Sequence, residues 1–178
     1  SIVTFKKVDD ENDSILNPMS NNEDAVNLQD TADYDIGDHV PFAIKITMPN
    51  DITDYTYYSF IMQDKASKGL TYDQDNFKIY IDNTEYSIGT GTDKDFRIEF
   101  SGPDAAGNTM FKVYPNKNYT KNNGASVTAN STDGGDYLAL FPAGTSHDDI
   151  NNTTITLQYT CTLNENAVIG AEGNPNKY

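Results

Sequence analysis

Apolar and polar residues alternate with a period of two along several stretches, a pattern typical of half-buried β-strands. The clearest stretch is HVPFAIKITMP, residues 39–49, where every second side chain is apolar. A second stretch, TTITLQYTCTL, residues 153–163, alternates large apolar side chains with Thr and Gln. Both predict long strands with one buried face. The predicted inward residues are Val40, Phe42, Ile44, Ile46 and Met48 in the first, and Ile155, Leu157, Tyr159, Cys161 and Leu163 in the second.

Shorter stretches of the same kind complete the predicted set of strands. FKIYIDNTEYSI reads as two short strands around an Asp-Asn turn, and the others are DYTYYSFIMQD, DFRIEF, TMFKVYP and DYLALFP. No segment keeps a helical period for more than two turns, and ENAVIG is the best candidate for one short helix. Eight or nine strands separated by turns predict an all-β antiparallel sandwich, with one short helix at most, in a single domain spanning residues 1–178. The Gly- and Asn-rich residues 121–136 predict a long surface excursion.

The charge of the chain limits its partners. Its formal net charge is -15 and its pI is about 4.2, so phosphate backbones and anionic lipid headgroups are repelled. We therefore expect neither nucleic acid nor a membrane as a partner, and no apolar run reaches the length that a membrane span needs. The single cysteine, Cys161, excludes an internal disulfide and is expected to be a small buried apolar residue.

Two charged residues stand where strand alternation predicts burial. In SIVTFKKVDD, one face of the strand carries Lys6 and the other carries Lys7, so one lysine lies among apolar neighbours. Asp64 shares the parity of Phe60 and Met62, which places it on the inner face unless the strand ends at Met62. A buried aspartate is expected to have a raised pKa, and a buried lysine is expected to be paired or neutral.

An inward lysine and an inward aspartate admit two interpretations. The first is a buried ion pair. In the second, a carboxamide is the third member: a desolvated, neutral lysine is nucleophilic, and a protonated aspartic acid can donate a hydrogen bond to the carboxamide and pass protons as ammonia leaves. The product of this reaction is an internal Lys-Asn amide bond.

Four blocks occur in order along the chain: FKKVDDENDS, TADYDIGDHVPFAIKITMPNDITDY, FIMQDKASKGLTYD and TLNENAVIGAEGNPNKY. Together they resemble the isopeptide-forming D2-type domain of pilus backbone subunits from Gram-positive bacteria. The resemblance runs from the first residues to the last and is weakest over residues 101–150, which are expected to be an insertion. It implies an Ig-like sandwich of the CnaA type, in which a lysine of the first strand is bonded to an asparagine of the last with the help of an acid.

The resemblance also assigns the reacting residues. The lysine of the family falls in a K-x-V pattern, which selects Lys6, with Lys7 the rival if the register slips by one. The acid belongs to a D-x-x-S-K-G-L block, which selects Asp64 as the residue that promotes the isopeptide bond. The asparagine falls in a G-N-x-N pattern, which selects Asn176 over Asn174.

The function implied by the resemblance is a structural module of a sortase-assembled pilus or cell-wall-anchored surface protein, extracellular on a Gram-positive bacterium. Its partners are neighbouring pilin subunits joined by sortase linkage. FKVYPNKN, residues 111–118, resembles the V-Y-P-K motif that sortase uses, but Asn116 stands where the lysine belongs and Lys117 is one place late. The alternative function is an Ig-like adhesin domain whose long loops bind a host protein or glycan; the absence of Trp weakens the glycan version.

We expect no turnover enzyme, cofactor or metal. No Ser-His-Asp set, zinc cluster or close pair of acids can be placed from the pattern, and His39 and His147 are too few and too far apart for a metal site or catalytic pair. The acidic clusters DDEND, DQDN and HDD could supply oxygen ligands for Ca2+, but none has the EF-hand spacing and turn-forming aspartates explain them.

Overall fold

A computed structural model describes residues 2–4, 14–16 and 34–167. Within these residues the regular elements are almost all strands, together with one four-residue α-helix and two 3₁₀ turns, Ile52–Asp54 and Leu138–Leu140. The helix is α1 (His147–Ile150), and the strands are β1 (Ile2–Thr4), β2 (Ser14–Leu16), β3 (His39–Thr47), β4 (Phe60–Ala66), β5 (Leu70–Ile81), β6 (Thr84–Tyr86), β7 (Ile88–Gly89), β8 (Phe96–Ser101), β9 (Thr109–Pro115), β10 (Tyr119–Thr120), β11 (Ser126–Val127) and β12 (Thr154–Leu163).

The strands form two five-stranded sheets and one small hairpin. The first sheet has the order β1-β3-β12-β5-β6, the second has the order β2-β4-β9-β8-β7, and β10 pairs with β11. Buried side chains from both sheets make one continuous core between them. The predicted all-β sandwich with one short helix is therefore confirmed. The long pairings are antiparallel, and three short pairings, β1 with β3, β2 with β4 and β7 with β8, are parallel.

The predicted alternation holds in the two central strands of the first sheet. Each even-numbered residue from Val40 to Ile46 in β3 is buried, and so is each odd-numbered residue from Ile155 to Leu163 in β12. Pairing aligns these rows, because Phe42 lies opposite Tyr159 and Ile44 lies opposite Leu157. Met48 is also buried, although it lies just beyond the end of β3.

Strand β5 is longer than the sequence pattern predicts. The predicted strand begins at Phe77, whereas β5 begins at Leu70 and pairs with β12 on both sides of an irregularity between Tyr159 and Cys161. This bulge lets β5 keep Tyr72 and Phe77 both buried although their parities differ. The predicted Asp-Asn turn between β5 and β6 is confirmed, and its first residue, Asp82, has a φ of 52°.

One local prediction differs from the structure, and a second falls partly outside the described residues. DYLALFP is not a strand: it contains the 3₁₀ turn Leu138–Leu140, because the carboxylate of Asp136 accepts the backbone N–H of Leu138 at 2.9 Å and starts a turn there. ENAVIG has a turn at residues 165 and 166, and its last three residues lie outside the described part. The short helix in the described part is α1, where the Ser146 side chain accepts the N–H of Asp149 at 3.2 Å.

Residues 116–137, which we call the cover segment, pack on the outer face of the second sheet. Ala129 contacts Ile61 of β4 and Tyr114 of β9, which makes a small second core outside the sandwich. Tyr119 stacks on Tyr57 with ring centroids 4.7 Å apart. The predicted surface excursion therefore covers part of the outer face of the second sheet. Ile61 and Tyr114 are buried beneath it, whereas Lys65, near the other end of β4, is exposed.

Backbone contacts fix the end of the cover segment. The Oδ1 atom of Asp136 accepts the N–H of Tyr58 at 2.9 Å, and the N–H of Tyr137 donates to the carbonyl of Tyr58 at 2.7 Å. Gly135 lies so close to β9 that a Cβ atom there would be 2.0 Å from the carbonyl oxygen of Pro115. Only glycine permits this approach of two backbones.

Candidate cross-linking site

Asp64 lies on the inner face of β4 and is 3% exposed. Strand β4 continues to Ala66, so the alternative in which the strand ends at Met62 is wrong and alternation places Asp64 inside. In the second sheet Asp64 lies opposite Phe111 of β9, which in turn lies opposite Phe100 of β8. The carboxyl group therefore stands in a row that is otherwise aromatic.

The first sheet also presents aromatic rings to this site. Tyr159 stacks between Phe42 and Phe77, with centroid distances of 5.5 and 4.9 Å. Phe111 meets the ring of Tyr159 edge-on at 5.2 Å and that of Tyr72 at 5.1 Å. Aromatic pairs of this geometry stabilise a core beyond their buried area, by about 0.5–1.5 kcal/mol each. The cluster thus joins the two sheets around the carboxyl group.

Two tyrosine hydroxyls from the first sheet donate to Asp64. The hydroxyl of Tyr72 lies 2.8 Å from Oδ2 of Asp64, and the hydroxyl of Tyr159 lies 3.2 Å from the same oxygen. Both rings are buried, with 7% and 6% of their surface exposed. A carboxyl oxygen has two lone-pair sites, so these two donors fill Oδ2, and neither tyrosine engages Oδ1.

Burial keeps the protons on the groups beside Asp64. Burial, followed by the charge of Asp64, raises the pKa of Tyr72 well above its ordinary value, so its hydroxyl remains a donor. The same two causes raise the pKa of Cys161, which lies opposite Tyr72 in the first sheet. Cys161 is therefore a buried thiol rather than a reactive thiolate, as its sequence position suggested.

The other predicted reactants lie outside the described residues. These are Lys6, its rival Lys7, and the asparagines Asn174 and Asn176. The nearest described strand is β1, in which Val3 lies opposite Ile44 of β3 and Thr4 lies opposite Lys45. Of the three proposed members of the site, the described structure contains the acid.

A polar cluster on the outer face of the first sheet does not have the geometry of a catalytic triad. Asp73 Oδ2 lies 2.9 Å and Thr162 Oγ1 lies 3.1 Å from the same nitrogen of His39, Nδ1. A triad needs the hydroxyl and the carboxylate on opposite ring nitrogens. Burial opposes ionisation of Asp73, but hydrogen bonds from Thr160 and Thr162 and the contact with His39 lower its pKa, so this cluster is a set of surface hydrogen bonds around an ionised carboxylate.

The remaining candidates of the sequence are ordinary surface features in the described part. Asn116 donates its side-chain amide to the carbonyls of Thr92 and Lys94, and Lys117 lies 3.9 Å from Asp95. Among residues 34–167 and the two short strands before them, no three His, Cys, Asp or Glu side chains come together as metal ligands. None of the helices in that part is long and apolar enough to cross a membrane.

Sequence reasoning found Asp64 but missed its tyrosine partners. Tyr159 was predicted to point inward, yet nothing in the local pattern connects it to an acid on another sheet. Tyr72 falls in the part of β5 that the pattern did not predict as strand. The available signal was the block KGLTYD, in which Leu70 and Tyr72 are two residues apart, the spacing of side chains on one face of a strand.

Comparison of this chain with protein-family models, with curated proteins and with solved structures gives no match. Fold and site together define the class: an all-β sandwich with a carboxyl group buried between its sheets and held by two tyrosines.

Proposed function

We propose that this chain is a structural module of a sortase-assembled pilus or cell-wall-anchored surface protein, cross-linked internally by a Lys-Asn isopeptide bond that Asp64 promotes. The observation that carries the proposal is the position of Asp64, 3% exposed within an aromatic cluster between the sheets. Burying a carboxyl group there costs stability that an apolar side chain would not cost. A chemical role for the group accounts for its presence.

The proposed reaction is balanced without a cofactor. The neutral amine of a lysine attacks the side-chain carbonyl carbon of Asn176, and a new C–N bond forms as the bond to the amide nitrogen breaks. Asp64 donates a proton towards the departing nitrogen and receives one from the lysine nitrogen, so the acid is regenerated and ammonia leaves. An apolar site favours this step because it keeps both the amine and the acid uncharged.

Two considerations bear on which lysine reacts. The family pattern selects Lys6. Lys7 is the rival if the register slips by one, because such a slip exchanges the two faces of the strand. Each lysine therefore needs its own variant.

Intact mass tests the proposal. The purified chain is expected to weigh one ammonia less than its sequence, and Asn176→Ala is expected to restore the full mass. Lys6→Ala is expected to restore the full mass and Lys7→Ala is not; the reverse result would identify Lys7 as the reactant. Tandem mass spectrometry of a proteolytic digest should recover a branched peptide that joins the first and last segments. A folded wild-type chain that keeps its full mass, with no ammonia lost, would overturn the proposal.

A further inference from the structure

We propose that Tyr72 and Tyr159 are positioning residues that fill Oδ2 of Asp64 and thereby assign the acidic proton to Oδ1. This inference rests on the proposed function and deepens it. It starts from the two hydrogen bonds of 2.8 and 3.2 Å, both to the same carboxyl oxygen.

The geometry fixes the protonation site by elimination. When a carboxyl group is protonated, its proton occupies one of the two oxygens, and that oxygen needs a free lone-pair direction. Two phenolic donors already point at Oδ2, and burial keeps the phenol of Tyr72 protonated. A proton on Oδ2 would therefore lie close to the two phenolic hydrogens and be repelled by them. The acid therefore presents its O–H from Oδ1 and accepts at Oδ2.

The tyrosines come from the opposite sheet, which makes the assignment depend on folding. Asp64 is carried by β4 of the second sheet, whereas Tyr72 and Tyr159 are carried by β5 and β12 of the first. Only a closed sandwich brings the three together. The acid is thus oriented when the sheets have packed, and we expect bond formation to follow folding.

Hydrogen bonding also determines how the reaction responds to pH. Two donors to a carboxylate favour its charged form, so their removal raises the pKa of the acid. If Asp64 acts as the protonated acid, the rate falls as pH rises through that pKa. Removing the hydroxyls should therefore move the falling limb of the rate–pH profile to higher pH. The loss of orientation should lower the rate on the low-pH plateau. In the described part the titratable side chains near Asp64 are Tyr72 on β5 and Tyr159 and Cys161 on β12, whereas Phe42 of β3 and Phe111 of β9 do not titrate.

The experiment compares full-length Tyr72→Phe, Tyr159→Phe and the double variant with wild type. Unbonded chain, recovered from inclusion bodies in guanidinium chloride and verified by mass, is refolded across a series of pH values and quenched at intervals. Loss of ammonia is followed by mass, and folding is followed in the same samples by circular dichroism so that slow folding is separated from slow chemistry. Tyr137→Phe is the matched control, because Tyr137 is fully buried and its hydroxyl contacts Thr153 at 2.6 Å rather than Asp64.

We expect each single variant to form the bond about tenfold more slowly than the control, with the falling limb at higher pH. Rates and pH profiles of the double variant equal to those of Tyr137→Phe, in a series where wild type loses ammonia, would overturn this inference and leave the proposed function standing. Failure of wild type to lose ammonia would overturn both.

Discussion

Replacing Asp64 by asparagine exchanges one carboxyl oxygen for an NH2 group and leaves the shape of the site almost unchanged. The amide oxygen of asparagine can accept from both Tyr72 and Tyr159, whose hydroxyls lie 2.8 and 3.2 Å from Oδ2 in the wild type. Asparagine is not an acid, so it cannot pass protons to a leaving amine. The substitution therefore removes the proposed chemistry and preserves most of the packing.

The expected loss of stability has a local and a covalent part. Exchanging the Oδ1 hydroxyl for an NH2 group disturbs the contacts of this buried group and costs about 1 kcal/mol. Loss of the cross-link costs more, because positions 6 and 176 lie 170 residues apart and closing such a loop restricts the unfolded chain by about 5 kcal/mol, by the relation used for disulfides. A bond from position 7 gives the same estimate.

A double-mutant cycle separates these parts. Asp64→Asn is measured in wild type and in the Lys6→Ala, Lys7→Ala background, which cannot form the bond, by guanidinium unfolding after the mass of each chain is checked. We expect a loss of about 6 kcal/mol in the first case and about 1 kcal/mol in the second. Equal losses in both backgrounds would refute the reasoning, since Asp64 would then act only through its local contacts.

Three further outcomes are expected. Burial raises the pKa of Asp136 in spite of backbone hydrogen bonds from Tyr58 and Leu138. The stability that this group contributes is therefore present below the unfolded carboxyl pKa and is lost as pH rises through the folded pKa. Asp136→Asn should flatten that part of the curve of melting temperature against pH, and an unchanged slope would contradict this. Gly135→Ala places a Cβ 2.0 Å from a backbone oxygen and should cost about 3 kcal/mol in thermal melting, against about 1 kcal/mol for Gly124→Ala, where nothing lies within 4 Å and only a φ of 88° is strained. Pulled from its ends in force spectroscopy, the bonded chain should extend very little where the unbonded lysine variant unravels, and equal contour-length gains would count against a cross-link.

Sequence periodicity predicted what depends on one buried face. Strands β3 and β12 each bury one row of side chains, so apolar and polar residues alternate in their sequences. The inward position of Asp64 followed from the same alternation. The Asp-Asn turn was predictable because its chemistry is local. The CnaA relationship and the identity of the lysine stay predictions.

Features that depend on two distant segments were not predictable in this way. The early part of β5 contains Asp73, Gln74, Asp75 and Asn76, which resemble a turn, and it is a strand because β12 pairs with it beyond a bulge. DYLALFP alternates like a strand, yet the Asp136 side chain accepts a hydrogen bond from the backbone N–H of Leu138 and a 3₁₀ turn forms there. The burial of Ser59, just before β4, and of Ile61, on the outer face of β4, depends on contacts with the cover segment, whose own sequence has no apolar period.

The cover segment has a consequence for how the molecule opens. It covers the outer face of β4 at Ile61 and of β9 at Tyr114 while the core covers the inner face, so water reaches the backbone amides around these two residues only when a layer detaches. Hydrogen exchange around Ile61 and Tyr114 should therefore be the slowest in the second sheet and should report the global unfolding free energy. On the outer face of β12, Gln158 is exposed and the threonines on either side of it are half-buried. A cross-link between the first and last segments would leave this ordering within the second sheet intact, because neither β4 nor β9 lies at an end of the chain.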